Sequence, residues 1–288
     1  MAKRKGSMYT IQRGLIILIV IILIGILILG LVAEVDKLLR IIWGVEENVY
    51  FENQDLSRYL RSEVESLLYY YSKDSILYPV NATIDHDSGE IVSESYGEII
   101  DITATGNRIF EVEKNSKIKE IKYKIKPYLY KEDIEKINKK IGNYTTTVRG
   151  SDGRKENIKL ASELINNRLL LSGEVFSFNK VVGPRTKEKG FKEAPEIING
   201  ELSLGIGGGI CQVSSTLFNA LKADEFQIIE RHIHSKDITY VPDGKDVAVA
   251  WDYLDFKFKN NFSNPIIIKS KVIYNQLTIN ILGSLEED

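Results

Sequence analysis

The chain has 288 residues, 43% hydrophobic and 27% charged, with 6 Pro, 21 Gly, one Cys and a formal net charge of −2. Such a composition builds packed cores, and the length allows one or two domains beyond a tail, so disordered, collagenous and disulfide-stapled classes are excluded. With 38 basic against 40 acidic residues there is no global field to hold a polyanion, and nucleic acid is not an expected partner.

Lys3, Arg4, Lys5 and Arg13 crowd the first thirteen residues with no acid among them. Between Arg13 and Glu34 run 20 uncharged residues, 16 of them Ile, Leu or Val. At ~1.5 Å per residue this stretch makes a helix of ~30 Å, the depth of a bilayer's hydrocarbon core, and each central Leu or Ile favours insertion by roughly 0.3–0.6 kcal/mol. A cleavable signal peptide has a shorter apolar run, about 7–15 residues, closed by a small-residue site. Leu31, Val32 and Ala33 make a poor one. The sequence therefore predicts a retained anchor in the cell membrane: residues 1–13 a cytoplasmic tail, 14–33 a transmembrane helix, 34–50 a juxtamembrane linker, and the remainder outside by the positive-inside rule. Val35, Leu38, Leu39 and Ile42 recur at helical spacing beside Trp43, which predicts an interfacial helix prolonging the anchor.

Residues 51–143 read as a small α+β module. Leu56, Tyr59, Leu60, Val64, Leu67 and Leu68 share one helical face, predicting a helix over 55–71. Strands are expected at 82–85 and 90–93 about the turn residues Asp87, Ser88 and Gly89, followed by a helix over 132–141 ended by Gly142. His86, at the turn, reads as a solvated surface residue. Residues 144–285 read as a second α+β domain in which a Cys-bearing helix packs on an antiparallel sheet. Its elements are a helix over 156–169, then strands over 228–241, 248–258, 265–273 and 276–282, the last two meeting at Tyr274 and Asn275.

The string GIGGGICQVSSTLFNALKA, residues 205–223, carries the chemistry. Val213, Leu217, Ala220 and Leu221 form one stripe, so a helix beginning close to Cys211 would bury it and present the thiol in its first turn. A free cysteine titrates near ~8.5, and the unpaired N–H groups and partial positive charge of a helix start favour its ionised form. Gly207, Gly208 and Gly209 lack a Cβ, which lets a substrate backbone approach and leaves amides free to face an oxyanion. A buried, inert cysteine is the competing reading, since a lone thiol often packs as a small hydrophobe. His232 and His234 follow. In a strand, residues two apart point to one face, so both imidazoles are expected at the same cleft, where one would accept the thiol proton and later protonate a leaving amine. Asp237, Asp246, Asp252 and Asp255 are candidates to orient that imidazole. A zinc site from Cys211, the two histidines and an aspartate is the other chemistry these residues leave open.

The ordered set GEVFSFNKVVGPR, KGF, GIGGGICQVSSTLFNAL, ERHIHS, TYVPDGKD and DFKFKN, from about residue 157 to 282, resembles the VanW family. The upstream strings NATIDHDSGEIVSESYGEIID and YKIKPYL resemble the peptidoglycan-binding module that often precedes this domain. VanW-type proteins are associated with glycopeptide resistance, and the domain is similar to one that acts as a cysteine L,D-transpeptidase. The resemblance implies a wall enzyme that cuts a tetrapeptide stem after its third residue, releases D-alanine and passes the acyl group from a thioester to a neighbouring stem, with no cofactor and no resident metal. It assigns the nucleophile to Cys211, the histidine to His234 and the orienting aspartate to Asp246, whose GKDV departs from the family's GxDA; Asp255 is the reserve. Arg185 in GPR and Arg231 in ERH are expected to bind substrate carboxylates through their planar forks, or else to pair with local glutamates. Gln212, Ser214 and His232, with the three glycines, complete the expected cleft. A wall peptidase in which water resolves the thioester, and a non-catalytic wall- or glycopeptide-binding protein, are the alternatives.

Overall fold

The computed structural model describes residues 2–198, 201–221 and 226–284, with the side chains of 2–12, 197–198 and 201–202 excepted. Lys222 and Ala223 of the glycine-to-helix string and the last residue of the expected second domain, 285, lie outside them. The fold is mixed α+β, as the composition of its segments predicts. The chain divides into two compact units, one of residues 1–79 with 96–126, the other of residues 80–95 with 127–288. The boundary expected at 143–144 falls inside strand Lys139–Thr147.

The first unit begins with one unbroken helix, Ala2–Trp43, of which Arg13–Trp43 is long and apolar enough to cross a membrane. Its apolar side chains from Leu15 to Val32 are exposed, as a lipid-facing helix requires. The expected linker over 34–50 is not one. The periodic Val35, Leu38, Leu39 and Ile42 continue the same helix, which stops at Gly44, where a Cβ would collide with the Arg40 carbonyl oxygen. Arg40 donates to both carboxylate oxygens of Glu63 at 2.7 and 2.8 Å, and Val45 and Val49 enter the core with Phe51, Leu56, Val64, Leu68 and Ile109. The first expected helix starts later, as Arg61–Ser75, because Gln54–Asp55 is used as a strand against Tyr50–Phe51 and the Glu63 carboxylate fixes the start by accepting from the Leu60 N–H. Helix Ile102–Glu111, capped by Asp101, and strands Gly97–Ile100 and Lys122–Ile125 complete the unit.

In the second unit the hairpin at 83–92 forms as expected, pairing Thr83–Ile84 with Ile91–Val92. The helix expected over 132–141 does not extend past Lys131–Glu135; strand Lys139–Thr147 runs straight through Gly142. That glycine is required by close approach, since a Cβ there would strike the carbonyl oxygen of Ala220. The strand joins an antiparallel sheet in the order Lys139–Thr147, Gln276–Gly283, Ile266–Ile273, Arg168–Leu170, with the turn at Tyr274 and Asn275 as predicted. Helix Asp152–Ile165 replaces the one expected over 156–169. It is capped by Ser151 and ends four residues early because Arg168–Leu170 becomes an edge strand.

Helices Asp152–Ile165 and Ile210–Ala220 pack on this sheet. Ile158, Ala161, Ile165, Val213, Leu217 and Ala220 meet Ile266, Ile268, Leu277, Ile279 and Ile281, each fully buried Ile, Leu or Val side chain contributing roughly 1.5–3 kcal/mol. A second sheet, Val175–Ser177, Lys257–Asn260 and Phe226–Glu230, closes the core with Phe176, Phe256 and Phe258. The strands expected over 228–241 and 248–258 are much shorter. After Glu230 the backbone is an irregular loop with isolated bridges between His232 and Ala248 and between Ala250 and Leu254. Pro242 and Gly244 interrupt the loop, and the amides of His234 and Val247 turn to the side chains of Asp246 and Ser215.

Candidate active site

The GGG turn precedes helix Ile210–Ala220 directly. Gly207 and Gly209 have φ of +99° and +106°, the left-handed region in which glycine is favoured. Side chains would also have no room. A Cβ on Gly207 would lie 3.0 Å from Arg185, one on Gly208 2.6 Å from the Pro195 carbonyl oxygen, and one on Gly209 2.9 Å from Arg154. Asn157, fully buried, donates from Nδ2 to the Gly208 and Lys192 carbonyl oxygens at 3.0 Å each, tying the turn to helix Asp152–Ile165.

Cys211 follows the turn with its side chain half-buried rather than sealed in the core. Its sulfur lies 3.5 Å from both the N and the O of Val249, accepting from the amide. The His234 imidazole lies beside the Cys211 sulfur, near enough for the sulfur's charge to act on the ring. On its other side, Nδ1 lies 2.6 Å from Asp246 Oδ2, which also accepts from the His234 backbone N–H at 2.6 Å. With Nδ1 committed to the carboxylate, Nε2 is the nitrogen left to face sulfur. Burial lowers the His234 pKa, but the Cys211 sulfur and then the Asp246 carboxylate outweigh it, so the net shift is upward. Burial likewise raises Asp246, and the two bonds from His234 overcome it to bring its pKa down. Both shifts favour an imidazolium beside a carboxylate.

Arg231, expected as a carboxylate binder, is occupied with the loop. Nε and Nη2 donate to the Asp246 carbonyl at 3.1 and 2.9 Å, Nη2 reaches the Gly244 carbonyl at 2.5 Å, and the guanidinium lies 4.2 Å from the Phe218 ring centroid. It positions Asp246. A cavity of about 110 Å³ adjoins the pair, lined by His234, Asp246 and Asp237 among others of the same loop. The two histidines do not share a face. Once the chain leaves strand geometry at Arg231 the period of two is lost, and His232 Nε2 turns to Glu230 Oε1 at 3.0 Å. Glu230 also receives Lys257 at 2.7 Å, and these donors, Lys257 first, bring its pKa to about 2. Cys211, His232 and His234 therefore do not surround one point, and among the described residues no group of three or more His, Cys, Asp and Glu is arranged to hold a metal ion.

Asp255 is also committed elsewhere. It accepts from Ser177 Oγ at 2.5 Å and from the Asn179 N–H at 2.8 Å, fixing the start of the short helix Phe178–Val182. Asp252 lies in an exposed turn at φ +61°. Gln212 and Ser214 are buried and face inward. Gln212 accepts from Arg154 at 2.8 Å and donates to Thr146 and Thr147, while Ser214 donates to the carbonyls of Cys211 and Val247. They fasten the Cys211 helix to its surroundings. His86 is half-buried in its hairpin, where its carbonyl accepts from Asn167.

Arg185 stands beside the glycine turn, bonded to Asn179 Oδ1 at 2.7 Å and the Gly183 carbonyl at 3.0 Å, its burial bringing the pKa down to about 10 while the Cys211 charge opposes the drop. Two residues that sequence reasoning did not single out join it. Arg154, lowered by burial and held up by Tyr240 and Cys211, crosses the turn to Gln212. The Tyr240 hydroxyl, near Ser215, is raised by burial and by the Cys211 charge. Arg154 lies 57 positions before Cys211 and Tyr240 sits in the irregular loop, so no local spacing marks either. The arrangement is thus a thiol, an imidazole and a carboxylate in line, flanked by two arginines, able to exchange a proton at sulfur and to receive a negatively charged ligand.

Comparison with known proteins agrees with the motif reading. The VanW-like protein family matches residues 153–282. The uncharacterized protein YoaR of Bacillus subtilis is 39% identical over 211 residues, covering 72% of this chain and 69% of YoaR. The vancomycin B-type resistance protein VanW of Enterococcus faecalis is 32% identical over 110 residues, which is 36% of this chain and 40% of that protein. No solved structure matches. With its matched domain built around the GIGGGICQ turn and helix, the chain belongs to the VanW family.

Proposed function

We propose that this chain is a membrane-anchored cell-wall enzyme, a cysteine L,D-transpeptidase whose nucleophile is Cys211. The observation that carries the reading is the line Cys211–His234–Asp246, in which an accessible thiol meets an imidazole whose far nitrogen is held by a carboxylate. His234 takes the thiol proton as sulfur attacks the carbonyl of the third stem residue. The C–N bond to D-alanine breaks, and the same imidazole returns the proton to the departing amine, leaving a thioester. The side-chain amine of a neighbouring stem then attacks the thioester carbonyl. Its nitrogen forms the new amide, the C–S bond breaks, and the amine's proton passes through His234 back to sulfur. Asp246 keeps Nδ1 protonated and the ring aimed, as an orienting carboxylate does in related triads.

The wall context is supported by the family and by the name of the vancomycin resistance relative. The apolar helix serves as a single-pass anchor with the basic end inside and the catalytic domain facing the wall. Residues 51–143 hold peptidoglycan in this reading. Detergent-solubilised full-length protein mixed with tetrapeptide muropeptides should release D-alanine and yield crosslinked dimers, and Cys211→Ala should yield neither. Trimmed monomers in place of dimers would reassign the chain as a wall peptidase. Wild-type product from Cys211→Ala would refute the nucleophile.

A further inference from the structure

Two arginine side chains straddle the turn that presents Cys211. The Cβ and Cγ of Arg185 lie over Gly207, and the Cγ and Nη1 of Arg154 lie over Gly209, each so close that a glycine Cβ would touch it at 3.0 and 2.9 Å. The missing Cβ atoms let both arginines pass close against the turn. Neither forms an ion pair among the described residues. Arg154 spends Nε on the Arg149 carbonyl and Nη2 on Gln212, while Arg185 spends Nη1 on Gly183 and Nη2 on Asn179, all neutral acceptors. Each guanidinium carries five N–H donors, so donors remain on both. A cation half-withdrawn from water with only neutral partners is costly unless an anion completes it, and the planar fork of arginine matches a carboxylate. Arg154 lies 5.9 Å from the Tyr240 ring centroid, and Arg185 lies 5.8 and 5.9 Å from those of Phe178 and Trp251. These rings hold the forks in place. The third arginine offered by the sequence, Arg231, is already spent on loop carbonyls.

We propose that Arg154 and Arg185 form a carboxylate clamp, which reads the free C-terminal carboxylate of the acyl donor and restricts the enzyme to peptides whose leaving residue is the chain terminus. This rests on acyl transfer at Cys211. A donor whose last residue is amidated, or extended by a further residue, presents no carboxylate on the residue that leaves. Because the chain has one cysteine, labelling reports Cys211 alone.

The test compares iodoacetate with iodoacetamide, two alkylators of the same thiol that differ in a carboxylate. The iodoacetate-to-iodoacetamide rate ratio on the folded full-length chain should exceed that of the urea-unfolded chain by about tenfold or more, the scale of a charge-assisted contact. Arg154→Gln and Arg185→Gln should each reduce it, and Arg154→Lys should retain part of it, which a merely structural arginine would not produce. A folded ratio no higher than the unfolded one, or a ratio unmoved by both glutamine variants, would overturn the clamp. In a parallel arm, tetrapeptide donors ending in carboxylate or in amide are offered, and the thioester is read by intact mass. Preference for the carboxylate donor supports the clamp. Equal acylation by both sinks it while leaving acyl transfer standing. Selective labelling with no acylation by either keeps Arg154 and Arg185 as a carboxylate site beside the thiol, and overturns both acyl transfer and the donor reading built on it.

Discussion

The loop from Arg231 to Asp246 and the strand edge at Glu230 each pair a histidine with a carboxylate, and the two histidines stand two residues apart in sequence, yet only one pair is positioned for chemistry. At the strand edge His232 shares Glu230 with Lys257, and the imidazole side chain is 39% exposed, so water and a competing ammonium blunt the interaction. In the loop, His234 and Asp246 are 12% and 10% exposed, and the far side of the ring meets the Cys211 thiol. What separates them is the third partner and the exclusion of water, not the histidine or its carboxylate.

The sharpest way to break that comparison is to remove each ring in turn. His234→Ala should cut transfer by roughly 10²–10⁴-fold, the usual worth of a positioned proton carrier, while His232→Ala leaves turnover near the parent in the same dimer-forming assay. Equal losses would erase the distinction. Asp246→Asn comes next. The carboxylate raises the His234 pKa, so its removal lowers it, and the acidic limb of the kcat/KM profile, below which the ring is protonated and cannot take the thiol proton, should move to lower pH. A limb that stays put would show that Asp246 does not act through His234.

A smaller effect tests the turn. Gly209→Ala places a Cβ at φ +106° and against Arg154, so thermal melts should show a loss of about 1–2 kcal/mol. The smallest effect lies at the strand edge. Glu230, with its pKa brought from 4.5 to about 2, adds stability above pH 4.5 that is lost as pH falls through about 2. Because the group is partly solvated, Glu230→Gln should cost no more than about 1 kcal/mol near neutral pH, and the gap from the parent should close in acid-titrated melts.

The parts of this molecule visible in the sequence are those set by short-range periodicity. The apolar run before Glu34, the stripe of Val213, Leu217 and Ala220, and the two-residue turn at Tyr274 and Asn275 need only local spacing to be read. Gly142 shows where local rules stop. It resembled a helix stop, yet its reason is the Ala220 carbonyl brought against it by the sheet. His232 failed for a similar cause, because alternation presumes a strand and the chain abandons one at Arg231. Cys211, His234 and Asp246 were nameable from the resemblance to the family, and Asp255 was kept in reserve until its bonds to Ser177 and Asn179 explained it. Arg154 and Tyr240 were out of reach, because only the packing of distant segments carries them to the sulfur.

The most direct test of the account is intact-mass analysis of the full-length protein quenched in acid soon after mixing with a tetrapeptide stem. The account predicts an adduct on Cys211 equal to the donor less D-alanine, labile to hydroxylamine and absent from Cys211→Ala. An unmodified chain throughout, while product continues to form, would contradict it.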